Sequence, residues 1–403
     1  MNTQIATSSN TSASGAVLTD GRLAESLAIL AKSVNASTSD PILANVLIEH
    51  DGRMLRVSAT DLETRAVAEF PCDETFGSFS TTVWAKSLLS LLKGKKGAVK
   101  LQLLEQKLYV TIGGATTALP TLPSAEFPPA KVGKVQVSTL TDYASFRKVF
   151  TDVSQFASRE EARGAVLMST FLNLDRLCIA ATDGYTLASH QLNVSPVADR
   201  QPARERESDS LHFLVPPTVR KLLAALKPEK ATNRTLHITI EEKAQIRFAV
   251  AMTGVNYNFT ARLVDGNYPN LDRVMPARPT NVVNVDRVAL LSALKGAQNV
   301  VDRYGMCKFT LSDEYTSGSG EGTLKISATN DVAGDFETTL TVDPETMFGQ
   351  VAIGFHVRRF IDALKPFDGE FVQIAIVDPL MPATLTNPDG TGITVVTMPM
   401  RLG

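Results

Sequence analysis

One heptapeptide pattern, Leu-x-(Val/Ile)-x-Ala-Thr-(Asp/Asn), occurs three times and constrains the fold more than any other feature. It reads Leu55-Arg-Val-Ser-Ala-Thr-Asp61, Leu177-Cys-Ile-Ala-Ala-Thr-Asp183 and Leu324-Lys-Ile-Ser-Ala-Thr-Asn330. Alternating apolar positions of period two predict a strand with one face toward a core. The closing Asp or Asn predicts a turn. Three copies in register predict internal repetition.

Other landmarks keep that register. Asp20 and Asp142, candidate helix caps, lie 41 residues before the Asp that ends the first two copies, and Asp286 lies 44 before Asn330. Helical patterns follow each: Leu23/Leu27/Leu30/Val34, Tyr143/Phe146/Val149/Phe150/Val153 and Leu290/Leu291/Leu294. A second helix closes each copy at Leu92-Lys93, Leu226-Lys227 and Leu364-Lys365. The first of these is expected from Thr81 to Lys93, before the stop Gly94-Lys-Lys-Gly97, with strands at 98–104 and 107–112. The repeat is therefore helix, hairpin, motif strand, further strand, helix, closing strands. The domains follow as a disordered tail 1–15, then repeats 16–134, 135–276 and 277–403, the last opening on a short linker 277–281. Asp51-Gly52 predicts a hairpin turn, residues 199–210 a polar mobile loop, and Thr316–Gly322 a Gly/Ser turn. The apolar last strand, Val395 onward, is expected to be tied into a sheet.

With 403 residues, 44% hydrophobic, the chain can bury a core in each repeat. Cys72, Cys178 and Cys307 form no CxxC; an odd, scattered count fits a reducing cytoplasm and excludes a disulfide framework. There is no apolar run long enough for a membrane span.

Net charge is only −2, yet the six helices hide a strong asymmetry. The first-helix positions carry Arg22, Lys32, Arg147, Lys148, Arg287 and Lys295; the second-helix positions carry Lys86, Lys93, Arg220, Lys221, Lys227, Arg358, Arg359 and Lys365. Against these fourteen stand Glu25, Asp152 and Asp362, so the helices sum to +11 and the remainder of the chain to −13. Favourable pairing with helix C-termini explains some lysines. It does not explain the scarcity of acidic residues on the same faces. Helices lining one surface would attract a polyanion such as nucleic acid.

Catalytic signatures are missing. There is no GxxxxGK[ST] loop, strand-to-helix GxGxxG, HExxH or GxSxG. His50, His190, His212, His237 and His356 are scattered, so no cofactor or metal is expected. His237 alternates within a strand pattern as a surface residue, Gly113-Gly114 reads as a turn, and Asp61 and Asp183 read as turn residues rather than a carboxylate pair.

Several peptides carry a resemblance. They are Ser58-Ala-Thr-Asp-Leu-Glu63, Leu119-Pro-Thr-Leu-Pro123 with Phe127-Pro128, Ala181-Thr-Asp-Gly-Tyr185, Leu263-Val-Asp-Gly-Asn-Tyr-Pro269, Arg273-Val274 and Met398-Pro-Met-Arg-Leu402. In this order, from about Val17 to Leu402, the chain resembles the beta subunit of bacterial DNA polymerase III, the replication sliding clamps. The resemblance implies an α+β fold of three clamp domains, antiparallel sheets outside and two helices per domain inside. It also implies a head-to-tail homodimer closed into a six-domain ring around duplex DNA. The protein would then be a non-enzymatic tether for the polymerase, cytoplasmic, binding DNA without sequence readout.

The family also implies a groove between the second and third domains that takes peptides from the polymerase III alpha subunit, the clamp loader delta subunit, other polymerases and repair proteins. Its wall would be Thr182, Gly184, Tyr185, Leu187, Pro269, Arg273, Val274, Val396, Met398, Pro399, Met400 and Arg401. An adaptable Met/Val floor suits varied ligands, although Met398 and Met400 also fit plain core filling. The DNA-facing set would be Arg22, Lys32, Lys86, Lys93, Arg147, Lys148, Arg220, Lys221, Arg287, Lys295, Arg358 and Arg359, and ring closure would use Thr117 and Leu119 against Val300 and Val301. Three departures stand out. Thr186 replaces the usual Arg, leaving one groove wall less basic. Pro217-Thr218 follows Val215-Pro216 where a basic pair is common, and Ser37-Thr-Ser-Asp40 lacks the Arg often found before Pro41. These motivate an alternative, a divergent or mobile-element clamp with other partners. A third reading is an enzyme on a repeat scaffold, with Asp61 or Asp183 at its centre.

Overall fold

The computed structural model describes residues 14–34, 40–95, 97–131, 133–192, 211–230, 232–242, 244–276, 279–312 and 322–402. The loop expected at 199–210, most of the tail, most of the turn at 316–322, residues 277–278 of the linker and Ser37–Ser39 lie outside these.

The first repeat runs β1 Ser14–Leu18, α1 Arg22–Leu30, β2 Asn45–His50, β3 Met54–Thr60, β4 Thr64–Pro71, β5 Glu74–Phe76, β6 Phe79–Trp84, α2 Ala85–Leu92, β7 Val99–Leu104, β8 Lys107–Ile112 and β9 Ala115–Leu122. The second runs β10 Val135–Asp142, α3 Tyr143–Ser154, α4 Gly164–Met168, β11 Thr170–Asn173, β12 Cys178–Thr182, β13 Thr186–Gln191, β14 His212–Val215, α5 Pro217–Ala225, β15 Thr235–Glu241, β16 Gln245–Met252, β17 Val255–Arg262 and α6 Leu271–Val274. The third runs β18 Asn281–Asp286, α7 Arg287–Gln298, β19 Met306–Ser312, β20 Gly322–Asn330, β21 Gly334–Thr346, β22 Val351–His356, α8 Val357–Leu364, β23 Phe371–Ile376, β24 Ala383–Thr386 and β25 Ile393–Thr397. Setting aside β5, α4 and α6, each repeat is strand, helix, four strands, helix, three strands. The heptapeptide is β3, β12 and β20 in turn.

Two expectations change. Every repeat opens with a strand, β1, β10 or β18, ahead of its first helix; β18 begins at Asn281, inside the expected linker. The second helix of repeat one begins at Ala85, not Thr81, because Thr81-Thr-Val-Trp84 is β-branched and aromatic and pairs with β2. The caps behave as read in two repeats: Asp142 accepts from Ser145 N at 2.8 Å and Asp286 from Ala289 N at 2.7 Å. In the first, Gly21 is the N-cap and Asp20 accepts from Arg22 N instead.

The apolar helix faces are buried as their spacing requires: Leu23, Leu27 and Leu30 on α1, Tyr143, Phe146, Phe150 and Val153 on α3, Leu290 and Leu294 on α7. Behind α8, the rings of Phe309, Phe355 and Phe360 pack with centroids 4.8–5.1 Å apart.

The chain parts into two compact units, and the second repeat contributes to both. One unit holds a thirteen-stranded antiparallel sheet in which β17 of repeat two pairs with β4 of repeat one. The other holds a twelve-stranded sheet in which β25 of repeat three pairs with β13 of repeat two. These are equivalent junctions: the last strand of one repeat against the strand after the motif of the preceding repeat. Repetition leaves one last strand, β9, and one post-motif strand, β21, over. Among the described residues β9 pairs only with β8 and, at Thr121 and Leu122, β6; β21 from Gly334 to Val342 pairs only with β20. Each therefore keeps a free edge.

Candidate functional site

The β12–β13 turn sets one end of the site. Asp183 Oδ1 accepts from the amides of Tyr185 (2.8 Å) and Thr186 (2.7 Å), Thr182 Oγ1 donates to Thr186 O (2.8 Å), and Gly184 takes φ of +87°. The β3–β4 turn repeats this: Asp61 Oδ1 accepts from Glu63 and Thr64, Thr60 Oγ1 donates to Thr64 O, and Leu62 sits at φ of +78°. Both aspartates are turn residues, as read, and neither supplies a catalytic pair.

From the turn, β13 runs antiparallel to β25, pairing Thr186 with Thr397 and Leu187 with Val396. Beyond the ladder, Met398 N donates to Tyr185 O at 2.9 Å and Met400 N to Gly354 O at 2.8 Å. The C-terminal segment is thus tied to two strands, as its apolar character required. Ala180, Leu187 and Val396 form a buried apolar floor, and Phe171, Leu271 and Val274 pack on it while partly exposed. Phe171 stacks between Tyr268 (5.0 Å) and His212 (5.8 Å). Asn270 caps α6 through Asp272 N and so holds Leu271 and Val274 in place. Met398 is exposed beside this floor, Pro399 and Met400 are half-buried, and Pro269, Arg273 and Arg401 are exposed.

Tyr185 is held by two guanidiniums, Arg359 at 3.8 Å and Arg163 at 4.7 Å from its ring centroid. They stand beside a cavity of about 230 Å³ that Tyr185 and Thr186 also line. Where the resemblance implied a less basic wall at Thr186, two arginines distant in sequence stand beside the same cavity.

Two family models match the chain: the DNA polymerase III beta subunit N-terminal domain over residues 17–131 and its C-terminal domain over 272–401. The chain belongs to the DNA polymerase III beta subunit family. The beta sliding clamp of Pseudomonas putida is 27% identical over 385 residues, covering 94% of this chain and 98% of the relative. That of Escherichia coli K12 is 26% identical, covering 90% and 93%. Among solved structures, the DNA polymerase III subunit beta of Pseudomonas aeruginosa superposes with a TM-score of 0.81 at 25% identity, covering 96% of this chain and all of the other. The Thermotoga maritima beta subunit, at 21% identity, shares the fold with a TM-score of 0.80.

Of the groove residues inferred from the family resemblance, the structure joins Leu187, Val396 and Val274 on one floor, and Tyr185, Met398 and Met400 through the C-terminal segment. Phe171, Leu271 and Arg163 were not anticipated here, and Arg359, expected among the DNA-facing cations, lies against Tyr185 instead. Phe171 and Leu271 lie in ordinary apolar patterns, and the arginines have no counterpart in the repeat register.

The helix cations divide into two groups. Lys32, Lys86, Lys93, Lys221, Lys295 and Arg358 are exposed; Lys148 is exposed and paired with Asp152 (3.0 Å) and Asp368 (3.5 Å). Arg22 pairs with Asp20 and Asp73, Arg147 donates to the Leu223, Ala224 and Leu226 carbonyls at the end of α5, and Arg287 Nε donates to Gly369 O. Those three arginines are tied to acidic neighbours, a helix end and a loop carbonyl respectively, as well as carrying charge. No helix among the described residues is long and apolar enough to cross a membrane.

Proposed function

We propose that two copies of this chain close head-to-tail into a ring that encircles duplex DNA and holds the replicative polymerase on it, without catalysis and in the cytoplasm. The observation that carries this is the pair of free strand edges. In the two junctions within the chain, a last strand pairs with a post-motif strand. The same pairing, made between β9 of one copy and β21 of the other, would be heterologous, and made twice about a two-fold axis it would close the ring without leaving an edge. Thr117 and Leu119 lie on β9, and Val301 O accepts from Asn330 Nδ2 beside the turn into β21, which supports a role for these three in closure.

Exposed helix lysines would face the DNA. Contacts to phosphate alone, unspecific and screened, allow sliding, and retention comes from closure rather than affinity. The apolar groove on β13 and β25 would dock peptides of the polymerase III alpha subunit, the clamp loader delta subunit and repair proteins.

Proline at an edge tests the closure. Of Thr116→Pro and Thr117→Pro, one removes an N–H used by β8 and the other an N–H on the free edge. The second variant should fold, run as a monomer in native mass spectrometry, and no longer stimulate processive primer extension. If both variants fold and remain dimeric, the proposed closure is wrong.

A further inference from the structure

We infer that the cavity beside Tyr185 is a carboxylate-binding subsite, selecting docking peptides that carry an acidic side chain next to their apolar anchor. This rests on the groove being a peptide site. Tyr185 belongs to both places: its carbonyl accepts from Met398 N at the head of the groove, and its ring walls the cavity.

Two observations point to an anionic occupant. The first is charge left over after internal pairing. Glu160 is engaged by Arg163 (3.4 Å), Asp362 by Lys365 (2.5 Å), and Asp183 by two backbone amides. Arg359 makes no ion pair among the described residues, and its guanidinium carbon lies over the Tyr185 ring, 3.8 Å from the centroid. A planar guanidinium fixed by stacking is pre-organised for bidentate recognition of a carboxylate. The second is an unmet donor. Thr186 is 4% exposed, lines the cavity, and its hydroxyl has no hydrogen-bond partner among the described residues. A buried hydroxyl without a partner is costly. A carboxylate oxygen would accept from it while the guanidinium holds the other oxygen. An arginine at position 186 would have no such hydroxyl to offer. This pocket is therefore a property of the Thr186, Arg163 and Arg359 combination.

The test uses two fluorescein-labelled, C-terminally amidated pentapeptides, Ala-Ser-Glu-Leu-Phe and Ala-Ser-Gln-Leu-Phe, titrated into the intact protein by fluorescence anisotropy. Amidation removes the terminal carboxylate, so only the side chain differs. The Glu peptide should bind about tenfold more tightly, with a gap that narrows as salt is raised. Arg359→Gln should bring the Glu peptide down to the level of the Gln peptide. Equal binding of both peptides to the unmodified protein would overturn the subsite and leave the groove standing. Binding of neither would overturn the groove, and the subsite with it.

Discussion

The two repeat junctions share a backbone and differ in nearly every side chain. At β13 and β25, the amide of Met398 meets the carbonyl of Tyr185 at 2.9 Å; at β4 and β17, the amide of Arg262 meets that of Glu63 at 2.8 Å. Two residues along, Leu187 faces Val396 in the first and Arg65 faces Thr260 in the second. Turn hydrogen bonds match atom for atom. The first junction presents a buried apolar floor on which Phe171, Leu271 and Val274 pack while partly exposed. The second is lined by charge: around a cavity of about 790 Å³, Arg262 pairs with Glu63 (3.7 Å), Arg56 with Glu69 (2.5 Å), and Arg65 stacks on Phe127 (5.4 Å) and donates to Pro128 O. Repetition supplies the scaffold, and side-chain chemistry sets the two junctions apart.

The largest expected contrast is in peptide affinity. Leu187→Arg or Met398→Glu should weaken binding of the replicative polymerase's clamp-binding peptide on the order of 100-fold. Arg262→Met, at the twin junction, should change it less than about twofold. Anisotropy titrations decide; comparable losses at both junctions would erase the distinction.

The turns give a finer test. Asp183→Ala and Asp61→Ala each remove an acceptor of two amides and should each cost about 1–2 kcal/mol in urea unfolding. Only Asp183→Ala should also weaken the peptide, through Tyr185. An effect of Asp61→Ala on docking of equal size would mean the first junction takes part.

The smallest effect is one of pH. Burial and the nearby Arg359 and Arg358 hold His356, at the start of α8, below the ordinary histidine value of 6.5. The unfolded chain then takes up the proton first as pH falls. Stability is full at neutral pH, declines as pH drops through about 6.5, and levels off once the folded form is also protonated. The repeat counterpart in the first repeat is Trp84, which does not titrate. His356→Gln should flatten the decline in melting temperature between pH 7 and 5.5; an unaltered slope would reject His356 as its source.

Much of this was legible in the sequence because local chemistry set it. The heptapeptides became β3, β12 and β20, Asp51-Gly52 became the β2–β3 turn with Gly52 at φ of +99°, and the C-terminal strand was paired. The Gly113-Gly114 turn between β8 and β9 and the exposed His237 on β15 also followed. What escaped depends on tertiary contact. The leading strands have no common motif. The start of α2 was decided by pairing with β2 rather than by helix propensity. Arg163 and Arg359 meet at Tyr185 although 196 residues separate them, and nothing in their local sequence marks them for it.

The most direct measurement is retention on DNA after loading by the clamp loader, on a nicked circle and on the same molecule linearised. Topological linkage predicts that the protein stays on the circle through high-salt gel filtration and runs off the linear form within the same interval. Equal loss from both, or equal retention on both, would contradict an encircling ring.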